Sequence, residues 1–199
     1  ERARPTHDRF VKAGVRKGLV ARDFTATAPD GSTVRLSDLR GKPTIINFWA
    51  TWCASCLAEM SDLKAVQEET GADAFNVVAV NSGEDSAQAR EFLDVLDAPA
   101  FRVAMDPTLV VSDTYGVYGL SHTVFVDKQG VIRATYAGQL GADLLRQYLA
   151  AAAAGVDGAD PPRSLRLLGN VQARRRVLEV RDAGTGRAEF RSKSLRCDD

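Results

Sequence analysis

The chain has 199 residues, enough for one well-buried domain and an appendage. Hydrophobic residues make up 45% and charged residues 26%, the balance of an ordinary globular protein. Lys plus Arg and Asp plus Glu both number 26, so no global field directs the chain to nucleic acid or a membrane surface.

The charge is uneven along the chain. Residues 160–199 carry ten Arg and Lys against six Asp and Glu, which leaves 16 against 20 for the rest. Three cysteines are too few for a disulfide scaffold. No run of 18 apolar residues predicts a membrane-spanning helix. The opening "ERARPTHDRFVKAGVRKG" is basic and polar and does not read as a signal peptide.

Residues 1–18 lack apolar periodicity and are expected to form a mobile or partly helical lead-in, downstream of a membrane anchor if the natural chain has one. "DFTATAPDGSTVRLSDLRGK" (23–42) predicts two short strands around the Asp30-Gly31 turn. "PTIINFWA" (43–50) is a continuous apolar run, as in a central strand buried on both faces. A helix follows from Cys53 to about Thr70, with Leu57, Met60, Leu63 and Val66 near helical spacing and Gly71 as its stop.

"AFNVVAVNS" (74–82) is a second buried strand and "SAQAREFLDVLD" (86–97) a helix closed by Pro99. "FRVAMD" (101–106) is a third strand, and Asp106-Pro107 opens a turn or short helix. "TVFVD" (123–127) and "VIRATYAG" (131–138) predict a hairpin, and "GADLLRQYLAAAAAG" (141–155) a last helix. This order argues for an α/β domain over 19–154 with helices covering a mixed sheet. Residues 155–199 are expected to be a linker, "GVDGADPP", and a basic extension with two strands around a Gly-rich turn.

The stretch with chemistry is "NFWATWCASCLAEM" (47–60). Residues three apart share a helix face, so Cys53 and Cys56 can close a disulfide without moving the backbone. Cys53 sits at the helix N-terminus, where unpaired N–H groups and the helix dipole favour a thiolate. That thiolate can attack a partner disulfide, leaving Cys56 to resolve the mixed disulfide. Half of a zinc site is the alternative, but no second Cys-x-x-Cys completes it. A buried strand, then Trp-Cys-x-x-Cys, then a helix is a thioredoxin-like redox signature.

"GKPTIINFWATWCASCLAEM" resembles the TlpA/ResA/CcmG (DsbE) group of thioredoxin-like proteins. "YGVYGLSHTVFVDKQGVIRATYAG" is similar to the second half of that group, and "ARDFTATAPDGSTVRLSDLRGK" to its N-terminal hairpin. The resemblance spans about Leu19 to Leu149. It implies a thioredoxin-like fold, with a mixed central sheet flanked by helices and an N-terminal β-hairpin. It implies an extracytoplasmic, usually membrane-tethered protein-disulfide oxidoreductase, active in cytochrome c maturation or related metalloprotein assembly. Partner thiols or disulfides, such as an apocytochrome or a copper-site protein, would exchange with Cys53 and Cys56. A membrane donor would supply electrons, and no organic cofactor or nucleic acid is expected.

The resemblance also gives Glu59 a role. One turn after Cys56, a partly buried carboxylate there would have a raised pKa and exchange a proton with Cys56. Asn47 stands where other thioredoxins have a buried aspartate; an amide cannot titrate, so proton handling falls on Glu59. Trp49 is expected in the core. Trp52, Leu120, Ser121 and His122 would line the partner groove.

Three serines depart from the pattern. Ser55, Ser61 and Ser121 occupy positions where the group has proline. Ser55 can approach the Cys53 sulfur. A cis bond before a residue other than proline costs about 2.5–4 kcal/mol, so Leu120–Ser121 is expected to be trans, with an altered groove. Two alternatives follow: a copper- or zinc-binding protein using Cys53, Cys56 and His122 as an S₂N set, and a scaffold with weakened catalysis. Cys197 is expected to be a free thiol.

Overall fold

The computed structural model describes residues 13–97 and 100–159. Its strands and helices are β1 (Ala13–Gly14), β2 (Val20–Ala21), β3 (Thr25–Thr27), β4 (Thr33–Arg35), β5 (Thr44–Trp49), α1 (Ala54–Thr70), β6 (Asn76–Ser82), α2 (Ser86–Leu96), β7 (Phe101–Asp106), α3 (Val110–Thr114), β8 (His122–Val126), β9 (Ile132–Ala137) and α4 (Ala142–Ala154). A 3-10 turn, Leu36–Leu39, follows β4. The expected Pro99 stop, the tail hairpin and Cys197 lie outside the described residues.

Seven strands form one mixed sheet in the order β4-β3-β7-β6-β5-β8-β9. β5, β6 and β7 run parallel, which brings their C-terminal ends to one edge. β8 runs antiparallel to β5, with Phe48 opposite His122, so the start of β8 reaches that same edge. Every residue of β5 and β6 is buried, as their apolar runs predict for strands covered on both faces.

Alternation divides the strand side chains between two cores. Ile45, Trp49, Val77, Ala79 and Phe125 pack against α1, α2 and α4 through Met60, Leu63, Ala89, Leu145 and Tyr148. Ile46, Phe48, Val78, Val80, Val124 and Ile132 pack on the other face with Leu36, Leu39, Val111 and Tyr115. The buried stripe of α1 runs Cys56, Glu59, Met60, Leu63, Val66 and Gln67, and Gly71 ends it with φ +92°, a conformation open to glycine. α2 starts on a capping box in which Asp85 accepts from the Ala87 and Gln88 N–H groups.

Both ends of the domain differ from expectation. Residues 13–21 form no helix: the short strands β1 and β2 pair in parallel, joined by a turn over 15–19. Gly18 N and Ala21 N donate to the carbonyls of Ile132 and Gly130 at 2.8 Å, and Ile132 N donates to Leu19 O at 2.8 Å. The first residues of the expected linker are also docked. Gly158 N donates to Arg133 O at 2.9 Å, and Arg133 bridges Asp127 and Asp157. A Cβ on Gly158 would meet the Tyr148 ring at 2.7 Å. Gly158→Ala should therefore cost about 1–3 kcal/mol, read as a lower urea midpoint.

Candidate active site

Cys53 caps α1 at the sheet edge where β5 ends, and its carbonyl accepts from Cys56 N and Leu57 N. The two cysteines are joined in a disulfide, with Cα atoms 5.2 Å apart. Cys53 retains 7% exposure and Cys56 none, so of the two residues only Cys53 reaches the surface. Ser55 Oγ lies 3.4 Å from Cys53 Sγ, as its spacing allows. Ser61 is spent locally, donating to Leu57 O at 3.2 Å.

The loop ahead of Cys53 is tied from below. Glu84, buried just after β6, accepts from Thr51 N at 2.9 Å, Thr51 Oγ1 at 2.5 Å and Asn81 Nδ2 at 2.7 Å. An acidic residue closing a buried strand is the sequence signal that would have singled it out. Glu84→Ala leaves these donors unmatched and should cost about 3 kcal/mol, measurable by urea unfolding of the oxidised protein.

Glu59 is fully buried one turn beyond Cys56. Ser121 Oγ donates to Glu59 Oε2, and Thr123 Oγ1 donates to Oε1 at 2.5 Å. The Leu140 backbone N–H donates as well. Asn47 Nδ2 in turn donates to Thr123 at 3.0 Å. Burial is the strongest influence and pushes the Glu59 pKa up to about 7, with Asp62 acting the same way and the three donors opposing. A carboxyl poised there can accept and return a proton near neutral pH. Thr123 was not foreseen; it shares a strand face with Ser121, two residues away.

The Leu120–Ser121 peptide bond is cis, not trans as expected. Ser121 is held on both sides, its carbonyl accepting from Gly138 N at 2.8 Å and its hydroxyl bound to Glu59. His122 alternates to the opposite face of β8 from Ser121 and Thr123, its ring 6.1 Å from that of Phe48. The S₂N set is thus not assembled: the cysteines belong to one core and the histidine's neighbours to the other. Burial draws the His122 pKa down to about 4. Among the described residues no cluster of three or more His, Cys, Asp or Glu is placed to hold a metal. Trp49 is buried against Phe92, with rings 5.2 Å apart, whereas Trp52 stands 56% exposed beside Cys53.

A Cys-x-x-Cys disulfide with only its first cysteine reaching the surface, at the head of a helix on a thioredoxin-like sheet, defines a thiol–disulfide exchange protein. Residues 18–135 match the AhpC/TSA family, and the chain belongs to it. It is similar to the thiol-disulfide oxidoreductase ResA of Geobacillus thermodenitrificans, at 31% identity over 141 residues that cover 69% of this chain and 79% of that one. A Chlorobium tepidum structure assigned as a thiol:disulfide interchange protein DsbE matches with a TM-score of 0.64 and 33% identity, over 70% of this chain and 99% of that one. The structure of the pneumococcal exposed lipoprotein thioredoxin Etrx1 from Streptococcus pneumoniae matches with a TM-score of 0.57 and 36% identity, over 65% and 98%. The chain is a thiol–disulfide oxidoreductase of the ResA/DsbE type, and its substrates are protein thiols. Among the described residues no helix is long and apolar enough to cross a membrane.

Proposed function

We propose that this protein reduces partner disulfides outside the cytoplasm, in cytochrome c maturation or a related metalloprotein assembly step. The observation that carries the reading is a Cys53–Cys56 pair in which only Cys53 reaches the surface, with a buried carboxylate one helical turn behind Cys56. The Cys53 thiolate attacks a partner disulfide, forming a mixed disulfide and releasing one partner thiolate. Glu59 takes the proton of the Cys56 thiol. The Cys56 thiolate then attacks Cys53 Sγ, the Cys53–Cys56 disulfide closes, and the second partner sulfur leaves. Two electrons pass to the partner, and its two thiolates take up two protons. A membrane donor restores the dithiol, and no organic cofactor takes part.

Trp52 and Leu120 form the rim that partners meet, and Ser121, 2% exposed, lies beneath it. The likeness to an exposed lipoprotein supports the extracytoplasmic setting, with an anchor on the full-length protein. The likeness to ResA and DsbE proteins supports the assembly role.

Equilibration of Cys53–Cys56 against glutathione in metal-free buffer tests the chemistry. A reversible two-electron transition near or below about −270 mV is expected for a reductant. A much higher potential would make the protein an oxidant or isomerase, and no transition would sink the exchange reading. The reduced protein should also open the disulfide of a Cys-x-x-Cys-His peptide, the haem-attachment pattern, faster than that of oxidised glutathione. Equal rates would remove the support for an apocytochrome partner.

A further inference from the structure

The Glu59 carboxylate is supported from three directions, and the supports are not equivalent. The Leu140 N–H is backbone. Thr123 is itself pinned by Asn47 and lies inside the sheet. Ser121 is different: it sits in the loop that leads into β8, beside the partly buried Leu120, at the edge that carries Cys53. The residue is 2% exposed, and its hydroxyl is committed to Glu59 Oε2.

We propose that Ser121 is a positioning residue for Glu59, its hydroxyl holding the ionised carboxylate beside Cys56 and setting the pH at which the Cys56 proton can be taken. This rests on the reading of Cys53, Cys56 and Glu59 given above. The step concerned is one proton transfer, from the Cys56 thiol to the Glu59 carboxylate, leaving a thiolate and a carboxylic acid. A hydroxyl donating to the charged form stabilises the acceptor state and opposes the effect of burial. Without it, Glu59 stays protonated to higher pH and accepts less readily at neutrality.

Few other groups compete for this role. Asp62, on the same helix, adds negative charge, and the Tyr136 phenol approaches from β9, its own pKa raised mainly by burial and further by Glu59. Asn47 on β5 and Thr123 on β8 do not titrate. Ser121 is therefore the support whose removal changes the carboxylate's stabilisation without breaking the Asn47–Thr123 link.

The test is the rate at which the Cys53–glutathione mixed disulfide closes to Cys53–Cys56, followed from pH 5 to 9 with oxidised glutathione in such excess that this second step and not the first attack by Cys53 is limiting, for the wild type and variants. The wild type should show an inflection near pH 7, and Glu59→Gln should abolish it. Ser121→Ala should move the inflection up by about one pH unit, the size expected for one hydrogen bond to a charged group. Ser121→Thr, which keeps the hydroxyl, should restore it. In a Glu59→Gln background, Ser121→Ala should leave the profile unchanged. If Ser121→Ala does not fold, Ser121→Gly removes the hydroxyl without bulk and gives the same reading.

An inflection that stays in place in Ser121→Ala, while Glu59→Gln abolishes it, overturns the Ser121 proposal and leaves the Glu59 reading standing. A profile untouched by Glu59→Gln overturns both. A shift in Ser121→Thr equal to that in Ser121→Ala shows that shape rather than the hydroxyl matters, and also overturns the proposal.

Discussion

A Cys53→Ser protein should lose disulfide exchange down to background, whereas Cys56→Ser should stop halfway. The asymmetry follows from exposure: Cys53 keeps 7% of its surface open and Cys56 none. With Cys53 as the attacking residue of the proposed mechanism, its loss removes the nucleophile, and the rate should fall by at least about a thousandfold. In Cys56→Ser the first attack remains and the resolving sulfur is gone. The mixed disulfide then accumulates, one glutathione per chain by mass spectrometry after incubation with oxidised glutathione. The count is made in a Cys197→Ser background, so that it refers to the site alone. Equal trapping on both single variants would contradict the assignment of Cys53 as the attacking sulfur.

The cysteine pair was legible in the sequence. The apolar run before Cys53 has strand length and no polar break, and such a strand fits only where helices cover both faces. That places the cysteines at the head of the next helix. The support beneath them was less legible. Glu59 reads as a solvated helix glutamate unless the helix is phased correctly. Phasing on Leu57 hides it, whereas the observed stripe through Cys56, Met60, Leu63 and Val66 includes it. Glu84 and Thr123 escaped because each acts through a partner far along the chain, Thr51 and Glu59 respectively.

Alternation along β8 was open to reading, and it separates His122 from Ser121. The S₂N expectation followed sequence adjacency, which in a strand places neighbours on opposite faces. Residues 13–18 and 155–159 were read as a loose lead-in and a linker because they show no side-chain pattern. They are held chiefly through backbone groups, such as Gly18 to Ile132 and Gly158 to Arg133, and such pairing leaves no trace in hydrophobic periodicity.

The stability of the oxidised protein should be nearly flat between about pH 4.5 and 6.5, with two opposed slopes concealed beneath it. Folded Glu59 keeps its proton up to about pH 7, while its ordinary value is 4.5. Its contribution is complete below the lower value and is lost as pH rises through the higher one, in all about 3 kcal/mol. His122 does the reverse. Its pKa falls from 6.5 to about 4 in the fold. Its contribution is present above the first value and lost as pH falls toward the second. Its ring keeps some contact with solvent, so its share is the smaller. Glu59→Gln removes the first slope and should leave a protein that weakens steadily on acidification. His122→Gln removes the second and should give one that strengthens from pH 7 to pH 4.5. Urea midpoints of the three proteins at pH 7.5, 6.5, 5.5 and 4.5 decide the matter. A wild type that weakens as steeply as Glu59→Gln would mean that Glu59 is ionised in the fold, and the buried carboxyl could not then serve as the proton store beside Cys56.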